Sequence, residues 1–222
     1  MNKTVIVVGA TGLIGKELVR FLADEPSIAR VVTLTRRPIT YAGSKVTNHV
    51  VDFDNLQDSA KLFKGDVLFS CLGTTAKQAG SIRAQRIVDL DYQLDAARLA
   101  AEQGVSHYVL VSSSGANAKS FSPYLKMKGQ LEDDVIKLGF EHTSIIQPSL
   151  LLGERADARM GEQLASKIMP ALCKLPGLGR YQPISGRDVA LRMIEVVNSP
   201  QPGVERLSLD EVFPLASKTS SA

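Results

Sequence analysis

Cysteine and histidine are scarce in this chain, with two and three residues respectively among 222. Cys71 and Cys173 lack metal-ligand spacing, and His49, His107 and His142 are scattered, so no metal centre is expected. No apolar run approaches the length of a membrane span, which argues against a membrane partner. Charge of one sign is lacking too: the net charge is +3. Without a Lys/Arg stripe interleaved with aromatics, nucleic acid is not an expected partner. Strand-like sequence begins at Lys3, so no secretory leader is expected. Few cysteines suit a reducing compartment, and the expectation from these absences is a cytoplasmic protein.

What is present suits a globular protein: hydrophobic residues make up 44% and charged residues 22%, usual for a soluble domain. The length allows one α/β domain with a sizeable core, expected over residues 1–216. Residues 217–222 are small and polar and are expected to be a disordered tail.

The chain is organised around Lys3–Arg20. Val5, Ile6, Val7 and Val8 form the short β-branched run of a strand buried on both faces. Gly9, Gly12 and Gly15 follow, and then Lys16–Phe21 turns to helical spacing. A strand, a glycine turn and a helix bring backbone N–H groups and a helix N-terminus to one point, which suits a pyrophosphate. Gly9 permits the turn, Gly12 lets phosphates approach the backbone, and Gly15 lets the helix pack on the strand. Glycines after a strand are also ordinary turn formers; the flanking strand and helix favour a dinucleotide site.

Farther along, strands are expected at Val31–Thr35, Lys45–Val51, Val67–Cys71, His107–Ser112 and Thr143–Gln147. Helices are expected over Arg83–Gln103 and Leu125–Leu138, with another beginning near Ser185. This alternation predicts a doubly wound parallel sheet covered by helices on both faces. Past Pro148 the pattern loosens, and residues 150–185 read as a small C-terminal lid on the substrate side.

The end of the second strand bears on the nucleotide. A site for NAD usually carries an acidic residue there, whereas this chain has Arg36 and Arg37, which suit a 2′-phosphate. NADP(H) is therefore the expected cofactor; a solvated arginine pair is the alternative. Asp52 follows the third strand, either accepting from the adenine amino group or acting as a helix cap. Leu72 and Gly73 follow the fourth, where Gly73 lets the chain pass the nicotinamide-side ribose. Cys71 reads as a small buried residue rather than a nucleophile.

Tyr124 and Lys128 stand four apart and share a helix face. An ammonium beside a phenol favours the phenolate, so Tyr124 can exchange a proton with an oxygen while hydride passes to or from a nicotinamide. Lys128 can also bind the ribose hydroxyls. One of Ser112, Ser113 and Ser114 would hold the reacting oxygen, and Ser113 is chosen. A helix-surface Tyr and Lys is the plain alternative. Placement after a serine-ended strand, downstream of the glycine site, carries the functional reading.

Gly-Ala-Thr-Gly-Leu-Ile-Gly at 9–15, Ser-Ser-Ser-Gly-Ala at 112–116 and Tyr124…Lys128 resemble the short-chain dehydrogenase/reductase superfamily, in its extended and atypical branches. Cys71–Thr75, Asp89-Leu90-Asp91-Tyr92, Tyr124-Leu125 and Lys128-Gly129 resemble the Tat-interacting oxidoreductase family, from about Thr4 to Val197. The resemblance implies a small NADPH-binding Rossmann protein. It implies Gly9, Thr11, Gly12, Leu13 and Ile14 along the pyrophosphate and Arg36 and Arg37 at the 2′-phosphate. It implies Leu72 and Gly73 near the cofactor, and Tyr124 and Lys128 as the catalytic pair. It further implies Leu151, in the Gln147–Gly153 loop, on the nicotinamide, and Arg159 as another cofactor contact. Gln147 departs from a common arginine and Ser114 from an occasional lysine.

Two functions follow. The first is an NADP(H)-dependent oxidoreductase acting on a small carbonyl-type substrate. The second is an NADP(H)-binding regulator that reports redox state to a protein partner with little turnover. An intact Tyr/Lys pair favours the enzyme. A nucleotide-sugar epimerase is a third, weaker reading.

Overall fold

The computed structural model describes residues 2–152 and 179–215. Its centre is β1 (Lys3–Val8), where Val5, Ile6, Val7 and Val8 are all fully buried. Side chains alternate across a strand, so this run feeds two cores. Val5 and Val7 face one with Leu18, Leu22, Val189 and Met193; Ile6 and Val8 face the other with Phe63, Ala97, Leu131 and Val135. Each Val, Leu, Ile, Met or Phe among them stabilises the fold by about 1.5–3 kcal/mol on burial.

The first core lies under α1 (Leu13–Asp24) and α6 (Gly186–Asn198). The second lies under a kinked 3-10 segment (Phe53–Phe63), α4 (Tyr92–Glu102) and α5 (Pro123–Ile136). Between these layers run β2 (Ile28–Thr35), β3 (Val46–Val50), β4 (Val67–Ser70), β5 (His107–Val111), β6 (His142–Gln147) and β9 (Gly203–Ser208). The sheet has seven strands in the order β3-β2-β1-β4-β5-β6-β9, every neighbouring pair parallel. The fold is the doubly wound α/β sheet that the alternation predicts. The direction of winding reverses between β1 and β4, and ligands of such sheets bind outside the carboxyl ends of the strands at that point.

Two departures are informative. The seventh strand, β9, is not signalled by the sequence, because Leu207 is its one buried apolar residue. The long helix expected at 83–103 spans Ile82–Glu102 but is interrupted: after the short α2 (Ala76–Ala79), α3 (Ile82–Arg86) passes through a π turn, Ile87–Asp91, into α4. There the Gln93 amide donates to the Asp89 carbonyl (2.8 Å) while its oxygen accepts from Ser70 Oγ (2.8 Å). A π turn and a side chain that takes a ladder carbonyl are both features at which helices bend.

The two ends of the expected lid are joined at their base. β7 (Leu151–Leu152) pairs in parallel with β8 (Ile184–Ser185), and Ser149 Oγ donates to the Gln182 carbonyl (2.5 Å). The rest of the lid reading, with Arg159 and Cys173, lies outside the described residues, as do residues 217–222 of the expected tail.

Candidate active site

The glycine turn is built by close approach. Gly9 has φ +79°, and a Cβ there would fall 2.4 Å from the Cys71 carbonyl carbon. A Cβ on Gly15 would fall 2.2 Å from the Gly9 oxygen. Gly12 N–H donates to that oxygen at 3.0 Å, closing the turn. Gly12 caps α1 with no side-chain hydrogen bond, and no acidic residue occupies the first turn. The first N–H groups of a helix have no partner within it, so those of Leu13, Ile14 and Gly15 are available to an anion. Thr11 is exposed beside them, whereas the Ile14 side chain packs into the first core. What Ile14 can offer a phosphate is its backbone.

Beyond β2 and β3 a cleft of about 450 Å³ is lined by Arg36, Val50, Val51, Asp52, Phe53, Asp54 and Tyr92. Its size falls within the range of small-molecule pockets. Arg36 and Arg37 are both exposed. Asp52 lines the cleft and also performs its alternative role, since its carboxylate caps the 3-10 segment. It accepts from Asp54 N–H (2.9 Å) and from the Asn55 amide (2.7 Å). These two bonds, the Asn55 one foremost, hold the Asp52 carboxyl below the usual carboxylate range. Tyr92 is a wall that sequence reasoning did not assign. Its ring tilts against Phe53 at 5.5 Å, and its hydroxyl donates to Asp54. Burial first, then the Asp54 bond and charge, push the phenol up to about 12 against the pull of Arg36.

The loop after β4 carries Cys71, Leu72 and Gly73. Burial pushes the Cys71 thiol up to about 12, only partly opposed by the charge of Lys128. A neutral thiol is no nucleophile. The next residues are gripped from the π turn side: Thr74 N–H donates to Asp89 Oδ2 (3.1 Å), and the Gln85 amide donates to the Thr74 carbonyl (3.0 Å). A Cβ on Gly73 would stand 3.4 Å from Asp89 Oδ1, an ordinary contact.

Tyr124 and Lys128 lie on the first two turns of α5, which opens with Ser122 as cap and Pro123 at its start. Tyr124 is 37% exposed and Lys128 only 3%. The Lys128 ammonium donates to the Val111 carbonyl (3.1 Å) and stands 3.8 Å from Asp89 Oδ1. Asp89 is 1% exposed. It therefore ties the α5 lysine to the loop that carries Gly73. Sequence reasoning quoted Asp89 for its resemblance alone; a carboxylate in the middle of a helix pattern gives no sign of facing inward.

The serine cluster divides by burial. Ser112 Oγ is buried and donates to Glu132, which also accepts from the Gln147 amide at 2.9 and 3.1 Å. Ser112 is thus committed to an internal network. Ser113 is partly exposed, and its hydroxyl makes a 3.4 Å bond to the Ser114 carbonyl. Leu151, half-buried in β7, packs against the first core. Among the described residues no group of His, Cys, Asp and Glu is placed to hold a metal ion. Among them, too, no helix is long and apolar enough to cross a membrane.

Residues 9–200 match the family described as NAD(P)H-binding. The chain belongs to this family. HTATIP2 of Rattus norvegicus is 40% identical over 175 residues, covering 77% of this chain and 72% of that protein. Protein FMP52, mitochondrial, of Candida albicans is 39% identical over 168 residues, covering 73% of each. Among solved structures, the UDP-glucose 4-epimerase of Thermotoga maritima with UDP-glucose has a TM-score of 0.68 at 15% identity. The match covers 91% of this chain and 76% of that one. That likeness establishes the fold, a Rossmann sheet; membership in the NAD(P)H-binding family establishes a nicotinamide cofactor.

The cytoplasmic expectation is corrected by these relatives. FMP52 proteins of Candida albicans, Candida glabrata and Coccidioides immitis are all named mitochondrial, pointing to that location instead. Few cysteines and the lack of a metal signature suit any reducing compartment, so neither feature distinguishes cytoplasm from mitochondrion.

Proposed function

We propose that this NAD(P)H-binding family member is an NADP(H)-dependent oxidoreductase that acts on a small carbonyl-type substrate. When bound, the cofactor supplies or takes the hydride. The N–H groups of Leu13, Ile14 and Gly15 would hold the pyrophosphate, and the Arg36 and Arg37 guanidiniums would hold the 2′-phosphate. Tyr124 donates a proton to the substrate oxygen, or takes one from it in the reverse direction. Ser113 Oγ hydrogen-bonds the same oxygen. Lys128 supplies fixed positive charge one turn below the phenol and a donor to the ribose hydroxyls.

The observation that carries this reading is the placement of Lys128. A surface Lys would be solvated. This one is enclosed, held between Val111 and Asp89, one turn from the partly exposed phenol on the same helix. A pure sensor needs no proton donor at that place.

The test is NADPH consumption over a panel of aldehydes and ketones with wild type and Tyr124→Phe. Loss of a positioned acid costs about 10²–10⁴-fold in turnover, so kcat is expected to fall at least about 100-fold while NADPH still binds. Equal turnover by the variant would remove Tyr124 from the chemistry. Tight NADPH binding without turnover of any substrate would favour the regulatory reading.

A further inference from the structure

β2 is a buried strand that ends in an unusual way. Thr33 is 0% and Thr35 6% exposed, in a run otherwise of Val31, Val32 and Leu34. Buried hydroxyls without partners are destabilising, and valines would fill the same space with no polar demand. Asn48 meets that demand from the neighbouring strand, where it stands across from Thr33. Its amide nitrogen donates to Thr33 Oγ1 (3.0 Å), the Thr33 carbonyl (3.3 Å) and Thr35 Oγ1 (2.8 Å).

The network then leaves the sheet. Thr35 Oγ1, accepting from Asn48, donates its own proton to the Arg37 carbonyl (2.7 Å). The Asn48 side-chain oxygen accepts from Ile39 N–H (3.0 Å). One carboxamide thus holds both ends of the turn that carries Arg36 and Arg37, through Thr35 on one side and directly on the other. Pro38, between the two anchors, has its φ fixed by its ring. Both arginines are exposed, and among the described residues neither makes an ion pair with a carboxylate. Their backbone is fixed and their charges are available.

We propose that Asn48 is a specificity-determining positioning residue: with Thr35 it locks the Thr35–Ile39 turn so that the arginine pair is preorganised for a 2′-phosphate. The inference rests on the NADP(H) reading above. A turn ordered in advance loses less freedom on binding, which raises affinity without adding a contact. Asn48 acts on that one phosphate and leaves the pyrophosphate turn, built on β1 and α1, untouched.

The experiment measures affinities of NADP(H) and NAD(H) for the full chain by calorimetry. The variants are Asn48→Ala, Thr35→Val, and Arg36→Ala/Arg37→Ala together. Asn48→Ala is expected to weaken NADP(H) about 10-fold while NAD(H) changes less than about 2-fold, the signature of lost preorganisation at one subsite. Thr35→Val keeps volume and β-branching, so it reports on the relay even if Asn48→Ala does not fold. Its expected loss is about 3-fold, again for NADP(H) alone, and the double variant Asn48→Ala/Thr35→Val is expected to lose less than the product of the two single effects. Equal weakening of both cofactors would make the network merely structural and overturn the proposal, as would unchanged NADP(H) affinity in either variant. If wild type shows no NADP(H) preference, or the arginine variant keeps it, the cofactor reading itself fails and this inference with it. If the arginine variant loses the preference and the Asn48 and Thr35 variants keep it, the relay alone is refuted.

Discussion

Replacing Asp89 by alanine isolates the ion pair that ties α5 to the π turn. In the native protein two oppositely charged groups stand 3.8 Å apart and are only 3% and 1% exposed. At an effective dielectric constant of about 20 that separation corresponds to roughly 4 kcal/mol of attraction. Asp89→Ala removes the anion and leaves the Lys128 ammonium enclosed with the Val111 carbonyl as its remaining hydrogen-bond acceptor in the described structure. Breaking a buried pair in this way costs about 3–5 kcal/mol. Thr74 N–H loses its acceptor as well, which places the variant toward the upper end. Against a total stability of about 5–15 kcal/mol for a domain, a third or more of the folding free energy is at stake.

Equilibrium urea denaturation of wild type, Asp89→Ala and the double variant Asp89→Leu/Lys128→Met reads the effect. If the orphaned charge is the cause, the double variant, which buries no charge, recovers most of the loss. A cost below about 1 kcal/mol for Asp89→Ala would refute the reasoning. So would a double variant no more stable than the single one, since either result means that Lys128 escapes to water when its partner is gone.

Two further outcomes are expected. His107, bonded to Ser144 at 2.9 Å, is held down to about 4, by burial first and then by His142 and Lys3. The unfolded imidazole titrates near its usual 6.5, so between about pH 4 and 6.5 the unfolded state binds more protons and stability rises with pH. The contribution is fully present above about pH 6.5 and falls away toward pH 4, on the order of 3 kcal/mol in all. Melting curves over that range should lose this slope in His107→Gln, and an unchanged slope would show that the imidazole is not its source. Gly15→Ala tests the glycine turn: helix propensity alone favours alanine by about 1 kcal/mol. Its Cβ, however, would meet the Gly9 oxygen and the Ala10 Cα, backbone atoms that cannot rotate aside. A net loss of about 1–3 kcal/mol from overpacking is expected, with NADPH no longer raising the melting temperature; a more stable variant that still responds to NADPH would contradict the close approach.

Local periodicity carried the main architecture. The uninterrupted β-branched run of Val5–Val8 marks a strand covered on both faces, and Gly9, Gly12 and Gly15 mark a turn that at Gly9 and Gly15 has no room for side chains. Tyr124 and Lys128 share a face because four residues are about one helical turn. Each signal lies within a few residues, where chain geometry alone relates one side chain to the next. Compartment was not legible in this way, because composition does not differ between reducing compartments.

Tertiary structure decided the pairings between distant segments. Asp89 could be recognised as the partner of Lys128 only after the π turn aimed it inward. Glu132, itself held by Gln147, claims Ser112 and leaves Ser113 partly exposed, and Asn48 reaches from β3 to fasten the turn that bears Arg36 and Arg37. Nothing local favours these choices. A polar group pairs with a residue far along the chain when packing has excluded water from both, because burial makes an unsatisfied donor, acceptor or charge costly. That cost does not exist until the elements have come together.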